Sequence, residues 1–546
     1  MTPPSKGPLR LLAAPILFAA YPVAALYAHN YHEVDLPDLL LPIGVIFLAM
    51  AILFFVVMLL FRDLAKSSAS VAAFLIFSFA YSSAFDGTRT VAASLGAGHL
   101  VTNKLFFSVW CLAFLGWGIA ILRSRHVSLM LRILGIAGAV LLLFSLFRIL
   151  TLALESGRPD AQAASENPDG PPFLLSLPDP APDVYYLVFD RYASASNLKE
   201  SFSFDNTPFT DSLRTLGFVV DDAAITNYPM THTSLASSLN MSYLGPDFLG
   251  PIHYARMIEH HAVGQIFSAS GYRYYHVASW YEASAKSAYA DQLYRYAFFP
   301  SEFARTLAQT TPYHLFLPVD ESYRQVTHSL DHVEKLVSER GPKFVFAHFI
   351  CPHAPYVVRA DGTYLPGAEA AARTERENYL DQLQYLNGRL LRLIDRLLRE
   401  SEVPPIVVIQ ADEGPLVFAE EGEFAESEVW RRRAGILNAY YLPGKASELP
   451  AGITPVNTFR FLFAEYFGAP IELLEDRLYF WPDTAHNGKP EDPQRPFPFV
   501  DITERYWEAW SAHASSAPDS SAARSNSAIP DSTAARSDST TQRSLR

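Results

Sequence analysis

At 546 residues the chain exceeds the length over which one hydrophobic core keeps growing, so at least two structural regions are expected. A formal net charge of -13, with no basic stretch to meet phosphate backbones, sets nucleic acid aside as a partner. The 2 cysteines, Cys111 in an apolar segment and Cys351 in the polar remainder, form neither a CxxC pair nor a zinc-knuckle spacing, and no intradomain disulfide is expected.

The N-terminal third reads as membrane-embedded. Apolar stretches at about 9–28, 39–61, 68–85, 104–122 and 127–154 lie near the roughly 20 residues needed to cross a hydrocarbon core. About five spans are expected, the short, serine-containing third being the weakest. Lys6 and Arg10 flank the first, Arg62 and Lys66 lie in the second loop, and Arg123 and Arg125 in the fourth. The first loop, HNYHEVDLPD, has no Lys or Arg. The positive-inside bias then makes the N-terminus cytoplasmic, and an odd number of spans sends the C-terminal region outside. The apolar segments show no intramembrane acidic pair or paired broken helices, which argues against a pure transporter.

Residues 156–182, rich in Pro, Gly, Asp and Ser, read as a linker. The soluble domain is expected over 183–511, where strands and helices alternate. VYYLVFD, FVFAHFI and VPPIVVIQADEG are buried-strand runs, and GILNAYYLP adds another. Between them ENYLDQLQYLNGRLLRLIDRLLRES places Tyr379, Leu383, Leu386, Leu390, Ile394 and Leu397 at helical spacing. Helix followed by buried strand is the mark of a crossover, so a three-layer α/β domain with a largely parallel sheet is expected. Residues 512–546, with the near-duplicate pieces SAARSNS and TAARSDS, read as a low-complexity tail that buries no core.

Two of those strands end in acids, Asp190 and the pair Asp412 and Glu413, and the turn NYPMTHTSLASSL lies between them in sequence. In open α/β sheets the carboxyl edge faces a common crevice where ligands bind. Hard carboxylates beside a hydroxyl point to a divalent metal activating an alcohol. Thr231 and Thr233 compete as the nucleophile, since either also suits a helix cap. His348 and His353 bracket the end of FVFAHFI, and His276 and Trp280 follow YRYYHVASW. His232 reads as exposed on its turn.

Asp190, T-x-T-S-L-A-S-S-L, HFICPHAPY and the late D-E-G, in that order, resemble the alkaline phosphatase and sulfatase superfamily over roughly 183–480. Several spans followed by such a domain are similar, more narrowly, to lipoteichoic-acid-synthase-like membrane enzymes. The resemblance implies one metal held by Asp190, Thr231, Asp412 and Glu413, with Thr231 attacking a phosphorus ester and passing the group to an alcohol or water. It favours Thr231 through its spacing of three from Ser234. It makes His353 a contact to substrate phosphate or leaving group, packs His348 beside it, and places His276 and Trp280 among substrate-binding positions.

Three departures qualify these expectations. Glu413 stands where the family carries histidine, which moves metal preference toward manganese or magnesium, with calcium and zinc behind. The C/S-x-P-x-R sequence that yields formylglycine in sulfatases is replaced by Thr231, His232, Thr233, Ser234 and Leu235. Trp280 is followed by Tyr281 and Glu282, so the tryptophan-x-arginine pattern for glycerol phosphate is missing. The expected function is an extracytoplasmic, membrane-anchored, metal-dependent phosphotransferase or phosphodiesterase acting on a phosphorylated lipid or envelope glycan. A sulfate or phosphate monoester hydrolase, and a catalytically inert envelope-assembly or binding protein, are the alternatives.

Overall fold

The computed structural model describes residues 9–31, 33–155, 171–245, 251–318, 320–416, 418, 424–481 and 499–516. Six helices open the chain: α1 (Leu9–His29), α2 (Leu40–Phe61), α3 (Leu64–Phe79), α4 (Tyr81–Ser94), α5 (Asn103–Arg123) and α6 (Val127–Glu155). Among the described residues α1, α2, α5 and α6 are long and apolar enough to cross a membrane, and a fifth span results if α3 and α4, bent by 50°, count as one. Their apolar surface is not covered by protein. Leu40 and Leu60 are each 72% exposed, and Phe55 and Leu143 are exposed as well, an apolar surface of the kind that membrane spans present to lipid. Where the helices do touch, Ala14, Ala69, Ala72 and Ala73 form the contact, because small side chains let helix backbones approach closely.

Contacts with the C-terminal domain sort the helix ends. Asp35 and Asp38, in the turn before α2, pair with Arg256 at 2.9 Å and Lys286 at 3.1 Å. The Ser82 N–H at the start of α4 donates to Thr310 O at 3.2 Å, and the Phe107 ring on the first turns of α5 meets Phe316 at 5.9 Å. The start of α4 and the first turns of α5 therefore both meet the C-terminal domain.

The second region is built on a seven-stranded sheet in the order β2-β7-β6-β1-β5-β3-β4. Its strands are β1 (Val184–Phe189), β2 (Val219–Asp221), β3 (Arg273–Ala278), β4 (Gln292–Arg295), β5 (Lys343–Phe349), β6 (Ile406–Gln410) and β7 (Asn438–Tyr441). β1 pairs in parallel with both β5 and β6, β3 with β5 and β4, and only β7 runs against its neighbours. The GILNAYYLP strand thus joins the sheet, but antiparallel.

Alternation along β1 divides the core. Tyr185, Leu187 and Phe189 face one layer with Leu383, Leu386 and Leu390 of the Glu375–Glu400 helix. Val184, Tyr186 and Val188 face the other with Leu235 and Leu239 of the Thr231–Asn240 helix and Phe459. Continuous apolar strands covered on both faces require helices on both faces, hence three layers. The Glu375–Glu400 helix starts at a capping box between Thr374 and Glu377, which satisfies two orphan donors at once. A last helix, Thr503–Ser516, runs past the boundary expected at 512. The repeats SAARSNS and TAARSDS lie outside the described residues.

Candidate metal centre and nucleophile

The carboxyl ends of the three central strands converge because they are adjacent and parallel. Asp190 follows β1, His348 is the Cα partner of Val188 across β5, and Asp412 lies two residues beyond β6. A hydrogen bond from Asp190 N–H to Phe349 O, at 2.9 Å, extends the β1–β5 ladder to that point. Asp190, His348 and Asp412 are all buried, and each presents one ligand atom within 4.8 Å of the others. Among the described residues Asp190 Oδ1, His348 Nε2 and Asp412 Oδ2 have no hydrogen-bond partner.

Three buried, unsatisfied ligand atoms aimed at one point fit a cation. Burial first, then the neighbouring Asp412, holds the Asp190 carboxyl well above its ordinary range. Burial and then Glu413 push Asp412 up to about 7. Burial, helped by His276, pulls His348 down to about 3, leaving the neutral imidazole a metal needs. Its 4.0 Å approach to Asp412 is accordingly not an ion pair.

Thr231 opens the Thr231–Asn240 helix. Its side chain is partly exposed, and its hydroxyl lies beside the Asp412 carboxylate, where it favours the ionised form. Met230 precedes it in extended conformation and gives no side-chain cap, so first-turn N–H groups remain for an anion. Thr233 is turned away and donates to Met230 O at 2.9 Å. That geometry separates the two threonines.

Glu413 does not enter the group. Its carboxylate accepts from Arg191 Nε at 3.1 Å and from Arg433 Nη2 at 2.6 Å, while the same Arg433 donates to Pro229 O in the turn before Thr231. Two guanidiniums neutralise this acid, so the remaining negative charge stays on Asp190 and Asp412. The fourth position expected from D-E-G is thus a brace between strand end and threonine turn. His348, expected to pack beside a substrate contact, brings the imidazole to the centre instead. Sequence reasoning missed this because which nitrogen points where depends on Ser284 Oγ, 2.7 Å from His348 Nδ1, and Ser284 arrives from a distant loop. The available signal was the position of His348 at the carboxyl end of a strand adjoining β1.

The remaining residues divide similarly. The His353 N–H donates to Asp190 O at 3.2 Å, and its partly exposed ring sits at the rim, with Nδ1 against Ala354 O. His276 is buried with Nε2 2.9 Å from Ser284 O and Nδ1 3.1 Å from Tyr274 OH. Both nitrogens are committed to the interior, so it does not face substrate. Trp280 lies under Arg305, 5.4 Å from Cζ to ring centroid, and not at the centre. His232 is buried against Tyr254 rather than exposed, with Nδ1 3.1 Å from Tyr281 OH.

Two backbone features lock the site. Arg191 adopts a left-handed φ of 63°, and its N–H reaches Asp412 Oδ1 at 3.3 Å, a strained position of the kind that persists where surroundings over-determine it. A Cβ on Gly414 would fall 2.0 Å from Arg432 O and 2.9 Å from Gly435 O. Gly414→Ala is therefore expected to destabilise the domain by about 3 kcal/mol or more, seen as a lowered thermal midpoint. Unchanged stability would contradict this packing.

Residues 191–460 match the family model described as Sulfatase. Solved structures similar to the chain include the C-terminal periplasmic domain of EcEptC from Escherichia coli, at 11% identity over 59% of this chain and 92% of that one, TM-score 0.39. They also include the C-terminal periplasmic domain of phosphoethanolamine transferase EptC from Campylobacter jejuni (11%, 54% and 92%, TM-score 0.34) and BT1596, a 2-O GAG sulfatase (13%, 61% and 90%, TM-score 0.36). None of the curated proteins matches the sequence.

Proposed function

We propose, from the match of residues 191–460 to the Sulfatase family model, that the chain is a membrane-anchored, metal-dependent phosphotransferase or phosphodiesterase of the alkaline phosphatase and sulfatase superfamily using Thr231 as nucleophile. The observation that carries this reading is the partly exposed Thr231 hydroxyl, beside Asp412, at the edge of a buried Asp190, His348 and Asp412 group. Those three residues would hold one divalent cation, which when bound supplies charge neutralisation and lowers the pKa of a nearby hydroxyl. The case against zinc rested on Glu413 replacing an imidazole; with His348 in the group, manganese or zinc fits the mixed nitrogen and oxygen donors better than magnesium or calcium.

The reaction proceeds in two balanced halves. Thr231 Oγ1 forms a bond to phosphorus as the bond to the leaving alcohol oxygen breaks, its proton passing to Asp412 and then to that alcohol. Water or an acceptor alcohol then attacks the phosphothreonine, the Thr231 oxygen–phosphorus bond breaks, and the displaced proton returns to Thr231. Uncapped N–H groups of the helix start receive phosphate oxygens, and His353 at the rim contacts the leaving side. A sulfatase mechanism lacks its precursor, because threonine cannot become formylglycine.

The spans supply a lipid-linked or envelope-glycan substrate by proximity, and the loop charges set the 183–511 domain outside the cell membrane, joined by the 156–182 linker. The test uses the full chain in detergent, stripped with a chelator and reloaded. Turnover of bis(p-nitrophenyl) phosphate is expected only after manganese or zinc is restored. Metal uptake without turnover of any phosphodiester would put the inert envelope-binding reading in its place.

A further inference from the structure

Behind His348 runs a chain of buried hydrogen bonds that the reaction proposed above does not use. His261, just before the Ala262–Ala269 helix, accepts at Nδ1 from the Gly264 N–H at 2.9 Å. The ring fits there because residue 264 has no side chain: a Cβ would fall 2.7 Å from His261 Cε1. His261 Nε2 lies 2.8 Å from Tyr274 OH, Tyr274 OH lies 3.1 Å from His276 Nδ1, and His276 Nε2 lies 2.9 Å from Ser284 O. Ser284 Oγ then meets His348 Nδ1 at 2.7 Å. All five residues are buried.

With neutral rings, one arrangement of protons satisfies the chain. A carbonyl oxygen can only accept, so His276 Nε2 carries the proton and His276 Nδ1 accepts from the Tyr274 hydroxyl. A backbone N–H can only donate, so His261 Nδ1 is bare and its Nε2–H donates to Tyr274 O. The two directions agree at Tyr274, which accepts from one ring and donates to the other. Ser284 is thereby held by its carbonyl, and its own N–H donates to Tyr281 O at 3.1 Å. Ser279 Oγ, 3.0 Å from Ser284 Oγ, is placed to take the Ser284 hydroxyl proton. That leaves Ser284 Oγ as an acceptor facing His348.

We propose that Ser284 is a positioning residue of the metal centre: its hydroxyl oxygen accepts the Nδ1 proton of His348 and so holds the tautomer whose Nε2 lone pair faces Asp190 and Asp412. The proposal rests on the reading of those three residues as a metal centre. A neutral imidazole has one proton for two nitrogens, so keeping it on Nδ1 is what makes Nε2 a ligand. Without the Ser284 hydroxyl the nearest remaining oxygen is Ser279 Oγ, at 3.4 Å from Nδ1. The buried Nδ1–H then loses its good acceptor, and the tautomer that points a proton at the cation gains.

The experiment strips the full-length protein in detergent with a chelator and titrates it with zinc and with manganese by calorimetry, while the thermal midpoint of the metal-free form reports folding. Ser284→Ala is expected to weaken zinc by about 10–100-fold and manganese by a smaller factor, because imidazole matters most to the nitrogen-favouring ion. Unchanged zinc affinity, or equal weakening of both ions as a loosened fold would give, overturns the proposal. Ser284→Thr and Ser284→Val match each other in shape and differ in the hydroxyl, which covers an alanine variant that does not fold. The threonine variant is expected to bind zinc at least about tenfold tighter than the valine variant, and equal affinity overturns the proposal. His348→Ala is expected to lose zinc. Zinc retained there removes the metal-centre reading and this proposal with it, whereas zinc lost there but kept in Ser284→Ala removes the proposal alone.

Discussion

Thr231→Ala is expected to reduce phosphodiester turnover by on the order of 10³-fold or more, equivalent to about 4 kcal/mol of barrier, with the thermal midpoint close to that of the unaltered protein. The physical basis is that the hydroxyl is partly exposed and lies beside the Asp412 carboxylate, so its loss leaves no cavity in the core. Thr231→Ser, which keeps an oxygen at that atom, should recover part of the rate and accumulate a phosphoserine detectable by intact mass. Thr233→Ala is expected to leave the rate within about a factor of three, since Thr233 only bonds back to Met230 O. Loss of activity in Thr233→Ala with retention in Thr231→Ala would reverse the two assignments.

Metal removal should have the second largest effect, and its sign depends on pH. Asp412 has a folded-state pKa of about 7 against an ordinary 3.8, and Asp190 is raised too. A carboxyl raised on folding binds more protons in the folded state, so the metal-free protein is expected to lose stability as pH rises from about 4 to about 7. A bound divalent ion offsets this at neutral pH by about 2.7 kcal/mol at a hundredfold excess over its dissociation constant. In Asp412→Asn the metal-free form should match or exceed the metal-free parent at pH 7, while added manganese or zinc no longer raises its thermal midpoint. A metal-dependent midpoint in Asp412→Asn, or a metal-free parent whose stability climbs between pH 4 and 7, would contradict the centre as described.

The strand-end acids were legible because chain topology alone puts them there. A buried parallel strand must stop at a loop, and adjacent strands such as β1, β5 and β6 stop side by side. The spans were legible for the same local reason, since twenty apolar residues announce their solvent. Orientation of side chains was not. Glu413 and Asp412 are consecutive, yet one points to the centre and the other to Arg191 and Arg433. Arg433 lies twenty residues onward from Glu413, in the Glu426–Ala434 helix. His276 and His348 are each within strands and both are buried, but Ser284 takes Nε2 of one and Nδ1 of the other. Tyr274 OH takes the other nitrogen of His276, whereas His348 keeps Nε2 to offer.

What the sequence determined by itself was the membrane region, the three-layer domain, the strand-end acids and the threonine turn, because periodicity and local apolarity act over a few residues at a time. What the tertiary structure decided was the division of labour among neighbours: Thr231 over Thr233, His348 in place of Glu413, and the hydrogen-bonded chain from His261 to Ser284 behind it. Those outcomes depend on which distant groups satisfy each buried polar atom. A buried donor or acceptor left unpaired costs about 1–3 kcal/mol, so pairings made across the sheet override preferences written in any short stretch of chain.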